Sequence, residues 1–333
     1  MKLLSVVLLL LPLSACLAEV VDDFTVSCPQ FFPPVDGVVS PPTRFIEPTG
    51  SRFKQICQTR NNQPEFATFY DTENKIPVYS SYTFDGRVSC ERKSAWFIEP
   101  RLEVGGKGAK MASEAAVRKE VVNVENQALN GDYKYSVYDK GHLLPVYLAH
   151  TQSCSDATFT LTNAAPQHYS FNRGQWKKTE ETMAVVLKAD CINKGLSAYV
   201  VTGVVPGNDT LNNRVRIPSH FWTAFCCLDQ NNKFKLSGGY IGENSKDNLE
   251  PIRNSVRELE RHLTGEYKKH FPYQIPDDAF TLFAGKCHET AGTENQNTDS
   301  DSEQMGNNRN KYKRRKPANT SCRKRNKNPN LTD

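Results

Sequence analysis

Two cysteines stand side by side in "HFWTAFCCLD", residues 220–229, and no feature of the chain constrains its fold more. Neighbouring residues of a strand point to opposite faces of a sheet. If this run is a strand, Cys226 and Cys227 bond different partners, one on each face. Ten cysteines occur: Cys16 near the start, Cys322 near the end, and eight between them at 28, 57, 90, 154, 191, 226, 227 and 287. No C-x-x-C pair is present, so zinc explains them poorly and a disulfide framework explains them well. Their connectivity stays open at this level.

The opening "MKLLSVVLLLLPLSACLAEV" points to the same oxidising route. One basic residue, an apolar run and small residues at Cys16 and Ala18 read as a signal peptide over 1–18, cut after Ala18. The run is too short and too early for a membrane span. "LSAC" also fits a lipoprotein box with Cys16 lipidated. The sequons at Asn208, Asn319 and Asn330 favour a secreted eukaryotic glycoprotein instead. From Glu289 apolar residues almost vanish, and a disordered tail over 289–333, basic from about 309, is expected.

Charge is divided unevenly along the chain. Of 42 Lys and Arg against 37 Asp and Glu, ten basic residues and one acid fall in residues 304–333, a net of plus nine. Without that tail and Lys2, 31 basic side chains face 36 acidic ones. The body therefore has no global attraction for a polyanion, and any positive field on it must be local. Behind a signal peptide, "KYKRRK" and "RKRNK" suit polyanion binding at a cell surface, or simple solvation.

Residues 19–288 make one domain. "FATFYDTENKIPVYSSYTF" predicts a hairpin, Phe66 to Asp71 against Pro77 to Phe84, turning around Glu73 to Lys75. "LSAYVVTGVVPG" and "HFWTAFCCLD" suit buried central strands. "NSVRELERHLTG" sets Val256, Leu259 and Leu263 on one helical face and predicts a stop at Gly265. A second helix runs from Asn172 to Asp190 with Trp176, Met183 and Leu187 along one side. Strands and helices without βαβ alternation give an α+β fold, a mixed β-sheet core stabilised by disulfides.

The chemistry gathers around "YDKGHLLP", residues 138–145. Gly141 admits backbone conformations closed to other residues. His142 follows, beside Asp139 and Lys140 and on a stiff apolar support, a setting suited to a general base near a charged substrate. A β run is expected from Thr158 to Thr162, then a turn around Pro166, then Asn172 at the mouth of the helix. Strand, strand, helix would bring His142 and Asn172 together. An Asn carbonyl is a hard oxygen suited to magnesium, though an Asn at a helix start is more often a cap. Glu180 lies eight residues on, a rise of roughly 12 Å, too far to share one ion's inner shell easily.

"YDKGHLLP", "TLTNAAPQ" and "FNRGQWKKTE" together resemble the DNA/RNA non-specific endonuclease family, whose active site is a ββα-metal finger with a D-R-G-H motif. "NKIPVYSSYTF", "AWFIEP", "AYVVTGVVPGN" and "RIPSHFWTAFCC" are similar to its secreted endonuclease domain-containing 1 subfamily. The resemblance implies a metal-dependent endonuclease that hydrolyses phosphodiester bonds of DNA or RNA without sequence specificity. It implies His142 as general base, with Asp139 and Lys140 beside it in the catalytic motif. Asn172 would ligate Mg2+, or Mn2+ in its place, and Glu180 would act through a metal-held water. Asn163, Lys140 and Arg173 would contact the substrate, Asn163 and Asp139 alternatively bracing the site. Two positions depart from the family pattern. Lys140 replaces the motif arginine, and Ala184 stands where some members carry another; Arg173, Lys177 or Lys178 are candidates to compensate. These departures keep a second expectation open, a nuclease-fold protein that cuts little and binds nucleic acid or a protein partner.

Overall fold

A computed structural model describes residues 20–288, apart from 47–49, 109 and 277–278. The expected signal peptide and tail, with Asn319, Asn330, Cys16 and Cys322, lie outside the described residues. The core is an eight-stranded sheet in which every pairing is antiparallel. Its order is Val20–Val21, Phe53–Arg60, Gln63–Asp71, Ile76–Phe84, Ser197–Leu211, Val215–Leu228, Phe234–Glu243 and Ile252–Asn254. The hairpin of the sequence reading is there: Gln63–Asp71 pairs with Ile76–Phe84 across a tight polar turn. Asp71 holds that turn, its Oδ1 accepting from the N–H groups of Glu73 and Asn74 at 3.0 and 3.1 Å.

Ile76–Phe84 and Ser197–Leu211 are neighbours in the sheet although more than a hundred residues separate them in sequence. The intervening chain carries the candidate site and packs on one face. Alternation decides which side chains meet it. Val201, Val205, Trp222, Ala224 and Cys226 enter one apolar cluster with the Val256–His270 helix. Val200, Phe225 and Cys227 enter another with Met183, Ala184 and Leu187. Strands covered on both faces read as continuous apolar runs, which is why "AYVVTGVV" and "FWTAFCC" look as they do.

The adjacent cysteines obey the same geometry. Cys226 bonds Cys287 and Cys227 bonds Cys191, one disulfide on each face, while Cys28–Cys57 secures the N-terminal segment. Cys90 and Cys154 fall outside these three bridges. The Val256–His270 helix begins at Ser255 in a capping box with Glu258, then continues past Gly265, where a stop was expected. A helical glycine costs only ~1 kcal/mol. Burying Tyr267 two residues later, its hydroxyl donating to Val204 O at 2.8 Å and accepting from Trp222 Nε1 at 2.9 Å, outweighs that. No helix among the described residues is long and apolar enough to cross a membrane.

Candidate active site

Tyr138–His142 and Ala164–His168 form a two-stranded antiparallel ribbon, with His142 opposite Ala164 and Lys140 opposite Pro166. The second strand therefore starts later than expected. Residues 158–162 form a tight bend and helical turn, and Pro166 sits inside the strand instead of at a turn. A proline is tolerated there because the ribbon has two strands, so each strand keeps an unpaired edge. From Tyr169 the chain is helical through Cys191, loosened into wide turns at Asn172–Trp176 and Leu187–Cys191, with Gly174 off helical geometry. Trp176, Met183 and Leu187 are buried, as their spacing predicted. Burying side chains such as Met183 and Leu187 stabilises by roughly 1.5–3 kcal/mol each and fixes the helix against the sheet.

Gly141 has a different role from the one expected of it. Its φ is not positive. A Cβ at this position would lie 2.4 Å from Oε1 and 2.5 Å from Cβ of Gln167 on the facing strand. The glycine serves close approach, not an unusual turn. Gly141→Ala is expected to destabilise the protein by ~1–3 kcal/mol through overpacking. An unchanged urea midpoint would show that Gln167 can yield.

The ribbon and helix open into a cavity of about 590 Å³ lined by Asp139, Lys140, His142, Asn172, Arg173 and Glu180 among others. Asn172 is not a helix N-cap. Its Nδ2 donates to Asp139 Oδ2 at 2.9 Å, and no side chain among the described residues donates to its Oδ1. Arg173 also holds Asp139, Nε at 2.8 Å and one terminal nitrogen at 2.6 Å. Asp139 thus orients the Asn172 amide so that its oxygen remains for another partner. Glu180 is half-buried, and burial, reinforced by neighbouring Glu181, pushes its carboxyl up to about 8. A half-buried carboxylate and an uncommitted amide oxygen lining one cavity are donors suited to a small hard cation, so the residues present fit Mg2+ or Mn2+. They do not form a cluster of three acidic, His or Cys ligands, and no such cluster occurs among the described residues.

His142 packs against Trp96 at 4.7 Å and meets the Phe159 ring edge-on at 5.1 Å. Its Nε2 is buried with no hydrogen-bond partner among the described residues. Burial, with Arg92 adding a like charge, holds the imidazole down to about 3, so it is neutral at physiological pH. A neutral ring retains a lone pair able to accept a proton.

Asn163, Lys140 and Ala184 have the following settings. Asn163 is fully buried, the setting that suits the bracing alternative. Its Oδ1 accepts from Leu144 N at 3.0 Å and Ser80 Oγ at 3.0 Å, and its Nδ2 donates to Leu144 O and Thr158 O, both at 3.1 Å. That fixes the chain immediately after His142. Lys140 reaches the cavity, but its Nζ donates to Asn130 Oδ1 at 2.6 Å and lies over the rings of Trp96 and Tyr133. Ala184 is buried among apolar side chains.

Of the proposed compensators, Arg173 and Lys177 line the cavity and Lys178 does not. Arg92, Lys93, Trp96 and Phe159, none of them a candidate from sequence, line it too. Phe97 N donates to Phe159 O at 2.9 Å, folding the 85–96 loop back onto the finger. The basic pair in "CERKSAW" was the available signal, but sequence alone could not bring it to His142.

Two antiparallel strands followed by a helix, bearing a histidine, an amide oxygen and a carboxylate on one basic-rimmed cavity, define a ββα nuclease architecture. The chain belongs to the DNA/RNA non-specific endonuclease family, whose model matches residues 49–274. It is 33% identical to the endonuclease domain-containing 1 protein of Homo sapiens over 175 residues, 52% of this chain and 34% of the human protein. The Mus musculus protein of that name is 31% identical over 175 residues with the same shares. Mitochondrial endonuclease G of Caenorhabditis elegans is 30% identical over 131 residues, 35% of this chain and 41% of that protein. The chain spans about a third of the length of the first two relatives. Among solved structures, an EndoG/EndoGI complex covers 60% of this chain and 81% of that chain, at 21% identity and TM-score 0.43.

Proposed function

We propose that this protein is a secreted, metal-dependent endonuclease that hydrolyses phosphodiester bonds of DNA and RNA through backbone contacts, without reading base edges. The observation that carries this is the pairing of Asn172 with Asp139, which commits the amide nitrogen and leaves the oxygen available in the cavity that His142 and Glu180 also line. Neutral His142 takes the proton of the attacking water. An anionic phosphate beside it raises its affinity for that proton above the value of the empty cavity. Asn172 would hold Mg2+ or Mn2+ through Oδ1, and Glu180 would reach the ion through water. When bound, the ion supplies Lewis-acid stabilisation of charge on the scissile phosphate. Asp139 keeps the Asn172 amide from rotating, and Asn163 keeps His142 in place.

Secretion is supported by the apolar N-terminal run and by the three disulfides, which persist in oxidising compartments. The basic run in 304–333 would act as a polyanion handle at a cell surface. Nicking of supercoiled plasmid with magnesium, abolished by chelator, is the expected result. No nicking with either magnesium or manganese would overturn the enzymatic reading. One observation favours the second reading, a nuclease-fold binder of nucleic acid or protein: Lys140 is drawn onto Asn130, and Ala184 is buried among apolar side chains, so neither position offers a guanidinium to the cavity.

A further inference from the structure

We propose that Cys90 and Cys154 form a fourth disulfide, which ties the 85–96 loop to the Gln152–Ala157 helix and so holds Trp96 against His142. Both cysteines fall outside the three bridges described above. Neither the bond nor its test depends on whether the cavity cuts nucleic acid.

Contacts around the two residues bring their backbones together. Glu91 N donates to Gln152 Oε1 at 2.9 Å, and Gln152 Nε2 donates back to Glu91 O at 3.0 Å. Ser155 Oγ lies 3.5 Å from the same carbonyl oxygen. Further along the loop, Lys93 Nζ lies 3.5 Å from Asp156 Oδ2. The neighbour of Cys90 is thus clamped to residues on both sides of Cys154. A disulfide needs Cα atoms roughly 4.4–6.8 Å apart, a range that contacts between such flanking residues allow. The thiols also sense each other: burial, reinforced by Glu65, pushes the Cys154 thiol up, and Cys90 adds to the rise. That influence requires the two sulfurs to be near neighbours.

The clamp alone holds the loop weakly, because water competes for exposed hydrogen bonds and ion pairs. Cys154 is only 2% exposed and packs with Leu148, Ala157 and Met183 in the apolar cluster of that face. A bond to it anchors the loop in the core. At the loop's other end Phe97 N donates to Phe159 O at 2.9 Å. Trp96, fixed between these two anchors, lines the cavity with its ring 4.7 Å from that of His142.

The oxidant is a protein or small-molecule disulfide of the secretory route. Half-buried Cys90 is the thiol it reaches, and the Cys90 thiolate attacks it to give a mixed disulfide and one released thiol. Cys154 then attacks the Cys90 sulfur and expels the second thiol. Two S–H groups of the protein become one S–S bond, and the reagent disulfide becomes two thiols that carry the protons. In the reverse direction an attacking thiolate meets the accessible Cys90 sulfur and must expel Cys154, a poor leaving group because its thiol is pushed up. The finished bond therefore resists reduction.

The test maps the full secreted chain, unfolded in guanidinium with excess alkylating agent and no reductant, then digested and read by mass spectrometry. A peptide pair linked through Cys90 and Cys154 is expected. Alkylation of both residues, or a link from either to another cysteine, would overturn the bond. Cys90→Ala, Cys154→Ala and the double variant should each lower Tm by roughly 5–10 °C. The double variant should fall no further than the singles, since one bond is lost in every case; losses that add would count against the bond. Acrylamide quenching of tryptophan fluorescence reads the loop, because Trp96 is half-buried while Trp176 and Trp222 are fully buried. Quenching should rise in Cys90→Ala and stay native in a Cys28→Ala, Cys57→Ala control, which loses a bridge elsewhere. Native quenching in Cys90→Ala would show that the loop is held without the bond and would overturn its positioning role.

Discussion

His142→Ala is expected to cut plasmid ~10²–10⁴-fold more slowly than the native chain, the usual contribution of a positioned general base. Nucleic-acid binding in chelator should be unchanged, because the neutral ring contributes no charge to attraction. The fold should survive as well. The ring gives up contacts with Trp96 and Phe159, but its buried Nε2 has no partner among the described residues, so deletion also removes an uncompensated polar atom. Those effects oppose each other, and a net change within ~1 kcal/mol is expected. A His142→Gln variant separates packing from chemistry, since it refills part of the space without an imidazole. If His142→Ala cuts like the native chain, the base lies elsewhere and the catalytic assignment falls.

The second large effect concerns Asn172. Asn172→Ala removes the amide oxygen left uncommitted by the Asp139 contact, and cutting at low magnesium should fall by ~10²-fold or more. Loss of an outer-shell partner alone typically costs 10–100-fold, and a direct ligand should cost at least as much. Raising magnesium should recover part of the activity, because the defect is in affinity and Glu180 remains. Asp139→Asn should resemble a weaker form of the same defect, as the amide loses its anchor but keeps its oxygen. A rate that no magnesium concentration improves would show that Asn172 acts on the substrate and not on the ion. Native-like cutting by Asn172→Ala would exclude it from the site.

Local rules made much of this protein legible. The aromatic and β-branched runs Phe66–Asp71 and Pro77–Phe84 form a hairpin because a short polar turn joins two segments of high strand propensity, both buried along most of their length. The adjacent Cys226 and Cys227 bond opposite faces because a strand cannot turn both the same way. Trp176, Met183 and Leu187 are buried because helical spacing sets them on one side. His142, Asn172 and Glu180 come close in sequence and share a cavity because two strands and a helix are a short, local unit.

What sequence alone left undecided depended on segments distant along the chain. Gly141 looked like a backbone hinge, and only the facing Gln167 shows that it is a space-saver. Asn163 left two roles open, and its four hydrogen bonds to Ser80, Leu144 and Thr158 suit the bracing one. The helix stop at Gly265 failed because Tyr267 had a burial site waiting on the sheet. Arg92 was invisible as a site residue, since its approach to His142 depends on Gln152 clamping Glu91 and on Phe97 pairing with Phe159. Sequence determined the elements and the order of the chemical groups, because those follow from periodicity and local sterics. Tertiary structure decided which charged groups are already engaged and which face the cavity, because that depends on contacts between residues far apart in the chain.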